Sequence, residues 1–474
     1  MTDMTLAPEL PRGLHWLNAP ATTLHEQRGR IVALAFVNSA SAWCAQRLND
    51  LAVLQARYLG RLQALAIHVP RFDSERDPQA ALKRLRRHGL SLPLAHDADW
   101  VAWQRFGVES WPTVLLIDGE GNVRHRAIGA EGLAELERQI ARLCEGLHEP
   151  PDDDLRAFRE ANPEPRMPLC FPSGLVATPD RLFVADSGHH RVLECNHHGR
   201  VIRQFGMGTP DFADGELNHA AFRRPQGLAL VRESLYVADT GNHALRRINL
   251  PTSTVDTLCG NGRAGEPAEG VVTAPRDVAL NQPQAIVVNN NQIFVAMAGD
   301  NRVWSYDLGT REIRARAGSG QLEIRDGSGP MAAFAQPASL TAVLQTLYVC
   351  DAAGSALRSL QLRGDTVQTL IGQGVWSFGD EDGPRDRAQL QHPQAVALSP
   401  DSPIMWIADT GNGTLRTLRL GGGELSTVAL PRRLHGPAGL SIAAGAVWIA
   451  ETDAHAVLRY DIATGELSHV PIDE

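Results

Sequence analysis

The sequence predicts an α/β sandwich over the first 150 residues, followed by an all-β propeller of six four-stranded blades. Three observations carry that prediction. The stretch SLYVADTGNHALRRINL, Ser234–Leu250, holds two apolar runs around Asp239, Thr240, Gly241, Asn242 and His243, the pattern of an antiparallel hairpin. The hairpin recurs from Arg181, Gln292, Thr346, Ile404 and Ala446, placing Asp186, Asp239, Met297, Asp351, Asp409 and Glu451 at one position, 53, 58, 54, 58 and 42 residues apart. Before residue 150, apolar runs of strand length alternate instead with helix-period segments.

Each repeat has further parts in fixed order. A proline and a short inner strand precede the hairpin, at Pro172, Pro225, Pro283, Pro337, Pro393 and Pro437. A fourth run follows it, as in TVDTLCG and TVQTLIG. Four strands cannot bury both faces alone, whereas six such sheets stacked around an axis can. The units resemble NHL repeats from Phe171 to Ile472, which implies an all-β six-bladed NHL propeller and leaves function open.

Composition fits two domains. A chain of 474 residues with 43% hydrophobic content exceeds one core, and Gly 43 with Pro 29 suits a turn-rich β protein. MTDMTLAPELPRGLHW shows no basic stretch followed by an apolar core, and no apolar run reaches membrane-spanning length. The expectation is a cytoplasmic protein without a membrane partner. Cysteines 44, 144, 170, 195, 259 and 350 lack CxxC spacing and read as reduced thiols. Residues 1–150 carry 17 basic and 17 acidic groups, so the net charge of −9 lies entirely in the rest, which disfavours nucleic-acid binding.

From the start, Arg30–Asn38 (RIVALAFVN) reads as a buried strand and 42–59 as a helix. Strand Leu62–Val69, helix Ala80–Gly89, a short strand near Leu92 and helix Ala98–Gly107 follow. Hairpin Pro112–Ala130 and a helix from Glu131 to about Leu147 complete it. The segment ESWPTVLLIDGEGNVRHRAIG is similar to the cis-proline strand, edge hairpin and terminal glycine of thioredoxin folds. With GLHWLN at Gly13 and RFDSERDPQAALKRLRRHG at Arg71, the first half resembles the thioredoxin-like part of the NHL repeat-containing protein family. Larger animal members of that family have a further C-terminal β domain, which this sequence does not show. The expected division is 1–148 thioredoxin-like, 149–170 linker and 171–474 propeller.

The resemblance implies a redox site between the first strand and the first long helix. Counting eight residues from Phe36 reaches Cys44, which puts Ser41 at the nucleophilic position of Ser41-Ala42-Trp43-Cys44. Disulfide exchange needs a low-pKa thiolate and a second thiol, and serine is neither. Starting the motif at Cys44 instead gives Cys-Ala-Gln-Arg, again without a partner. Ser-x-x-Cys is also similar to the peroxiredoxin motif, but the proline seven residues earlier is Val37 here. Trp43, Trp111 and Pro112, the expected cis-proline, should line the site and fill the redox space.

Four d-to-a connections, beginning at Gly206, Gly260, Gly318 and Gly372, are long and should share one face with the b–c turns. Gly260-Asn-Gly262-Arg-Ala-Gly265 matches a nucleotide-binding glycine pattern but opens no helix, so its glycines are turn formers. His189, His190, His243 and His455 lie in b–c turns and His219, His392 and His435 near inner strands; loop capping is the expected role, and no metal or cofactor is expected. The repeated aspartates are expected to bond the amides of their own turns. Trp376, Phe378, Phe212 and His243 are the candidate binding-face residues. The resulting reading is a non-catalytic binding or scaffold protein whose long-loop face takes an unknown protein, peptide or small-molecule ligand. Two rival classes stand beside it: a thiol oxidoreductase or monothiol peroxidase through Cys44, and a metal-dependent propeller lyase.

Overall fold

The computed structural model describes residues 5–129, 132–147, 163–266 and 268–473. The chain divides into two compact units, 1–165 and 166–474. Residues 149–162 of the expected linker lie outside the described residues.

The first unit is one sheet between two apolar layers. Its strands are β1 (Thr5–Leu6), β2 (His15–Trp16), β3 (Ile31–Val37), β4 (Leu62–His68), β5 (Leu94–His96), β6 (Thr113–Ile117) and β7 (Asn122–Ile128), and its helices α1 (Ala42–Arg57), α2 (Pro78–Arg87), α3 (Val101–Arg105) and α4 (Leu133–Glu145). The sheet order is β1-β7-β6-β3-β4-β5-β2, with β3, β4 and β5 parallel and β6 and β7 antiparallel. Strand β3 is buried on both faces. Ile31, Ala33, Ala35 and Val37 meet Leu48, Leu51 and Leu54 of α1, while Val32, Leu34 and Phe36 join Trp103 and Phe106. Two short edge strands, β1 and β2, were not foreseen; pairing to β7 and β5, rather than their own pattern, makes them strands. Helix α3 is shorter than the expected 98–107. Trp100 takes φ 62, and the Asp97 carboxylate accepts the N–H groups of Val101 and Trp103, both at 2.9 Å, so the helix starts only there.

The second unit is a six-bladed propeller. In blade 1 the strands are Pro172–Ala177, Leu182–Asp186, Arg191–Cys195 and Val201–Phe205, paired in sequence from the axis outward. The last blade runs 437–443, 446–451, 456–461 and 467–470, all from the C-terminal end, so blade phase follows the repeats. Trp448, Ala450, Val457 and Val470 of blade 6 pack with Leu175, Val184 and Leu193 of blade 1, and Asp473 bonds the Gly199–Val201 turn.

Neighbouring blades are joined by a repeated bracket at five of the six inner-strand prolines; before Pro437 the turn-closing residue is Gly413, which has no side-chain acceptor. The residue before the proline has a left-handed φ, and its N–H is accepted by the residue closing the preceding blade's b–c turn. Thus Arg224 N donates to His190 Nδ1 at 3.0 Å, Gln282 N to His243 Nδ1 at 3.1 Å and Gln336 N to Asn301 Oδ1 at 3.0 Å. His392 N donates to Ser355 Oγ at 3.1 Å, and Phe171 N to His455 Nδ1 at 3.0 Å, which closes the ring. Hydroxyls of Thr240, Thr410 and Thr452 donate to the next blade's proline carbonyl at 2.6 Å each. The repeated acid adds a third bond: within its own turn Asp239 and Asp409 accept from the Asn242 and Asn412 side chains, at 2.8 Å each, rather than from the expected backbone amides, and the backbone donor comes from the incoming loop. Asp186, Asp239, Asp351 and Asp409 accept the backbone N–H of Cys170, Arg223, Ala335 and Gln391, which lead into the same blade's inner strand. Length and direction of the incoming loop decide that partner, and neither is visible in the turn.

The histidine brackets require the neutral ring. Burial first, then the nearby Arg224 and Arg223, lowers both His190 and His243 to about 4. The unfolded chain therefore binds protons that the fold excludes, so this contribution is complete above pH 6.5 and is lost as pH falls towards 4. Replacing His243 with Asn keeps an acceptor, as Asn301 does one blade on. Urea unfolding of His243→Asn should lose about 2 kcal/mol less stability than wild type between pH 6.5 and 4. Parallel loss in both proteins would contradict the bracket.

Candidate functional site

The loop between β3 and α1 is set by its own hydrogen bonds. Ser41 is the N-cap of α1, its Oγ accepting the Cys44 N–H at 3.3 Å. The hydroxyl at the nucleophile's position therefore serves the helix. Cys44 is fully buried on the α1 face towards the sheet, and its Sγ accepts the Asn38 N–H at 3.2 Å. Burial pushes the thiol up to about 12, so it is protonated at neutral pH. All six cysteines are free.

Behind this loop lies a buried polar cluster absent from the sequence reading. The Glu75 carboxylate, fully buried, accepts from Asn38 Nδ2 at 2.6 Å, Ser39 Oγ at 2.5 Å and Ala40 N at 3.0 Å. It also accepts from Arg71 N at 2.9 Å and Phe72 N at 3.0 Å, and His68 Nε2 faces it at 3.6 Å. Burial opposes its ionisation, but the adjacent His68 and Arg84 and the Phe72 backbone N–H hold the carboxyl well below the usual carboxylate range. His68 stacks on His96, their Nδ1 atoms 2.9 Å apart, and His96 Nε2 donates to the Arg76 carbonyl at 3.2 Å. The signal for this cluster was weak: His68 ends an apolar strand, and Glu75 sits in a charged run that reads as surface.

Pro112 follows a cis Trp111–Pro112 peptide at the start of β6. Trp111 is half-buried against Trp103 and Trp100, with ring centroids 4.5 and 5.3 Å away, so an aromatic cluster of the opposite layer surrounds it. Trp43 is half-buried in the first turn of α1.

On the propeller, the long connections are fastened at two places. Short segments at Gly215–Glu216, Val271–Val272 and Gly327–Ser328 pair onto the outer strands of blades 2, 3 and 4, and Gly383 does so in blade 5. Part of the loop length therefore covers sheet edges. Fully buried arginines fasten the remainder. Arg246 donates to Asp239 at 2.8 Å, to Asp214 at 2.9 Å and to the carbonyls of Ala213 and Ala221. Arg358 does the same with Asp351 and Asp326, both at 3.0 Å, and Arg416 holds Asp409, Asp380 and Asp382.

These fastenings sort the expected binding-face residues. His243 is 6% exposed and engaged in the interblade bracket, so it is corrected from a ligand contact to a structural acceptor. Phe212 is half-buried with the Arg246 guanidinium 5.0 Å from its ring centroid, and much of its surface is used there. Phe378 is half-buried, while Trp376 is 62% exposed at the tip of the fourth connection. Among the described residues, no three His, Cys, Asp or Glu side chains are placed to hold a metal ion. Among the described residues, no helix is long and apolar enough to cross a membrane.

Three measurements check the sealed thiol and the loop around it. Alkylation of Cys44, followed by peptide mapping, should proceed only as fast as the protein unfolds; rapid labelling of the native fold would contradict its burial. Ser41→Ala should cost about 1 kcal/mol through the lost cap. Glu75→Ala, which strands several buried donors, should cost about 3–5 kcal/mol.

Known proteins share this arrangement. Over 98% of its length the chain is 29% identical to NHL repeat-containing protein 2 of Homo sapiens, covering 71% of that protein. Over the same 98% it is 32% identical to Protein SUPPRESSOR OF QUENCHING 1, chloroplastic, of Arabidopsis thaliana. The chain spans 48% of that relative, about half its length. A further alignment covers 29% of the chain at 24% identity with the thiol-disulfide oxidoreductase YkuV of Bacillus subtilis (strain 168), over 92% of that protein. No family model matches. The chain is a thioredoxin-like unit followed by six NHL blades, and along nearly its whole length it is similar to NHL repeat-containing protein 2.

Proposed function

We propose that the protein is a non-catalytic binding protein, cytoplasmic, presenting the long-loop face of its propeller to a protein, peptide or small ligand. The thioredoxin-like unit is then a fixed packing or recognition module. The observation that carries this reading is the state of the SxxC loop: Cys44 is buried and raised to about 12, and Ser41 is spent as a helix cap. Thiol–disulfide exchange, the activity in the name of the Bacillus relative, needs an accessible thiolate and a second thiol. The face is assigned from the exposed Trp376, an aromatic of the kind that anchors interfaces, beside a loop held rigid by Arg416.

Insulin reduction and peroxide consumption should be at background for the wild type and unchanged in Cys44→Ser. Turnover that vanishes in that variant would replace this reading with the oxidoreductase one. Trp376→Ala with Phe378→Ala should reduce photo-crosslinking to partners severalfold at an unchanged melting temperature. Leu344→Ala, altering an 85% exposed residue on an a–b turn of the other face, should leave it intact. The reverse pattern would move the binding face.

A further inference from the structure

On the face opposite the long loops, the a–b turns of blades 1 and 2, the outer strand of blade 1 and the c–d turn of blade 2 line a cleft of about 450 Å³. Phe183, Leu230, Leu250 and Pro251 give it apolar walls, and Arg181, Arg203 and Arg232 bring three guanidinium groups to it. Glu194, 2% exposed, accepts from Arg181 Nη1 at 2.9 Å and from Arg203 Nε at 2.6 Å. Two arginines thus share one buried carboxylate. Arg203 Nη1 continues to the Leu250 carbonyl at 2.6 Å and to Ser253 Oγ at 3.0 Å. Arg232 stands on an exposed turn at φ 54. Of the acids at the rim, Asp180 is 76% exposed with its carboxylate 3.6 Å from Arg181, and Glu233 is exposed as well, so water and salt screen both.

The repeats supply an internal comparison. Between blades 3 and 4, Arg316 also reaches from an outer strand to the next blade's c–d turn. Its Nη2 donates to the Leu362 carbonyl at 3.0 Å, the counterpart of Leu250, and its Nε to Asp365 Oδ1 at 2.9 Å. Asp365 and Ser253 occupy the same place in that turn, three residues after the shared carbonyl, at φ 49 and 54. Where the third blade's arginine takes its carboxylate from that turn, the first blade's meets a hydroxyl there and takes its carboxylate, Glu194, from its own blade. Leu250 and Pro251 of the same turn line the cleft, beside Arg203.

We propose that this cleft binds a small organic carboxylate with an apolar body. Its carboxylate takes the position that Asp365 fills at the sister site, held by Arg203, Arg232 and the Ser253 hydroxyl. Its apolar part lies against Leu230, Leu250 and Pro251. Binding is non-covalent and independent of the long-loop face.

Saturation-transfer NMR on the full chain tests it, with benzoate, phenylacetate and hydrocinnamate each set against its amide. At least one carboxylate should bind, about tenfold more tightly than the amide, because a charge-assisted pair is lost in the amide. Ser253→Asp builds in the sister site's carboxylate and should abolish binding at an unchanged or higher melting temperature; Ser253→Asn should retain it. Arg232→Gln, on its exposed turn, should weaken binding severalfold without affecting folding. The proposal is overturned if no carboxylate shows transfer, if acid and amide bind alike, or if Ser253→Asp and Arg232→Gln both bind as the wild type does.

Discussion

The propeller depends on one constraint, the satisfaction of the backbone around each inner-strand proline. Proline has no N–H, and the residue before it takes a left-handed turn, so the chain arrives at the axis with donors that no β-ladder can use. An acid of the same blade takes one N–H, the preceding blade's turn takes the next, and a hydroxyl of that turn donates to the proline carbonyl. Since two of these three bonds cross between blades, each blade completes its neighbour. Ring closure uses the same bonds, from His455 and Thr452 to Phe171 and Pro172, rather than a strand exchanged between the ends.

The buried arginines extend that logic outward. Arg246, Arg358 and Arg416, fully buried, each sit between the equally buried aspartate of the bracket and half-exposed acids from the incoming loop. Losing one partner of such a group strands a buried charge, at a cost of about 3–5 kcal/mol. The long loops are therefore rigid where they cross the blades, and their tips, with Trp376 foremost, stay open to solvent. Blade 3 departs from the pattern: Met297 replaces the acid, and Asp300 accepts from Trp304 Nε1 at 2.8 Å instead.

The thioredoxin-like half shows how one fold position changes its chemistry. The loop before α1 keeps its place, but a hydroxyl caps the helix, the remaining thiol faces the core, and the Glu75 carboxylate fixes the backbone between them. A site that is rigid, buried and without a thiolate suits packing or recognition better than exchange.

The sequence alone determined the repeats, their phase, the turn residues, the order of strands and helices and the loss of the first cysteine, because those follow from local spacing and backbone preference. It did not reveal that His243 is a bracket, that Asp239 reaches the Arg223 N–H as well as its own turn, or that Glu75 and His68 meet beneath Ser41 and Cys44. Nor did it show that Ser253 stands where a sister blade has Asp365, since the repeats differ in length and the turns align only through their neighbours. Those facts belong to tertiary structure for one physical reason. A buried donor or charge takes whichever acceptor the packing brings within about 3 Å, and that acceptor is often dozens of residues away.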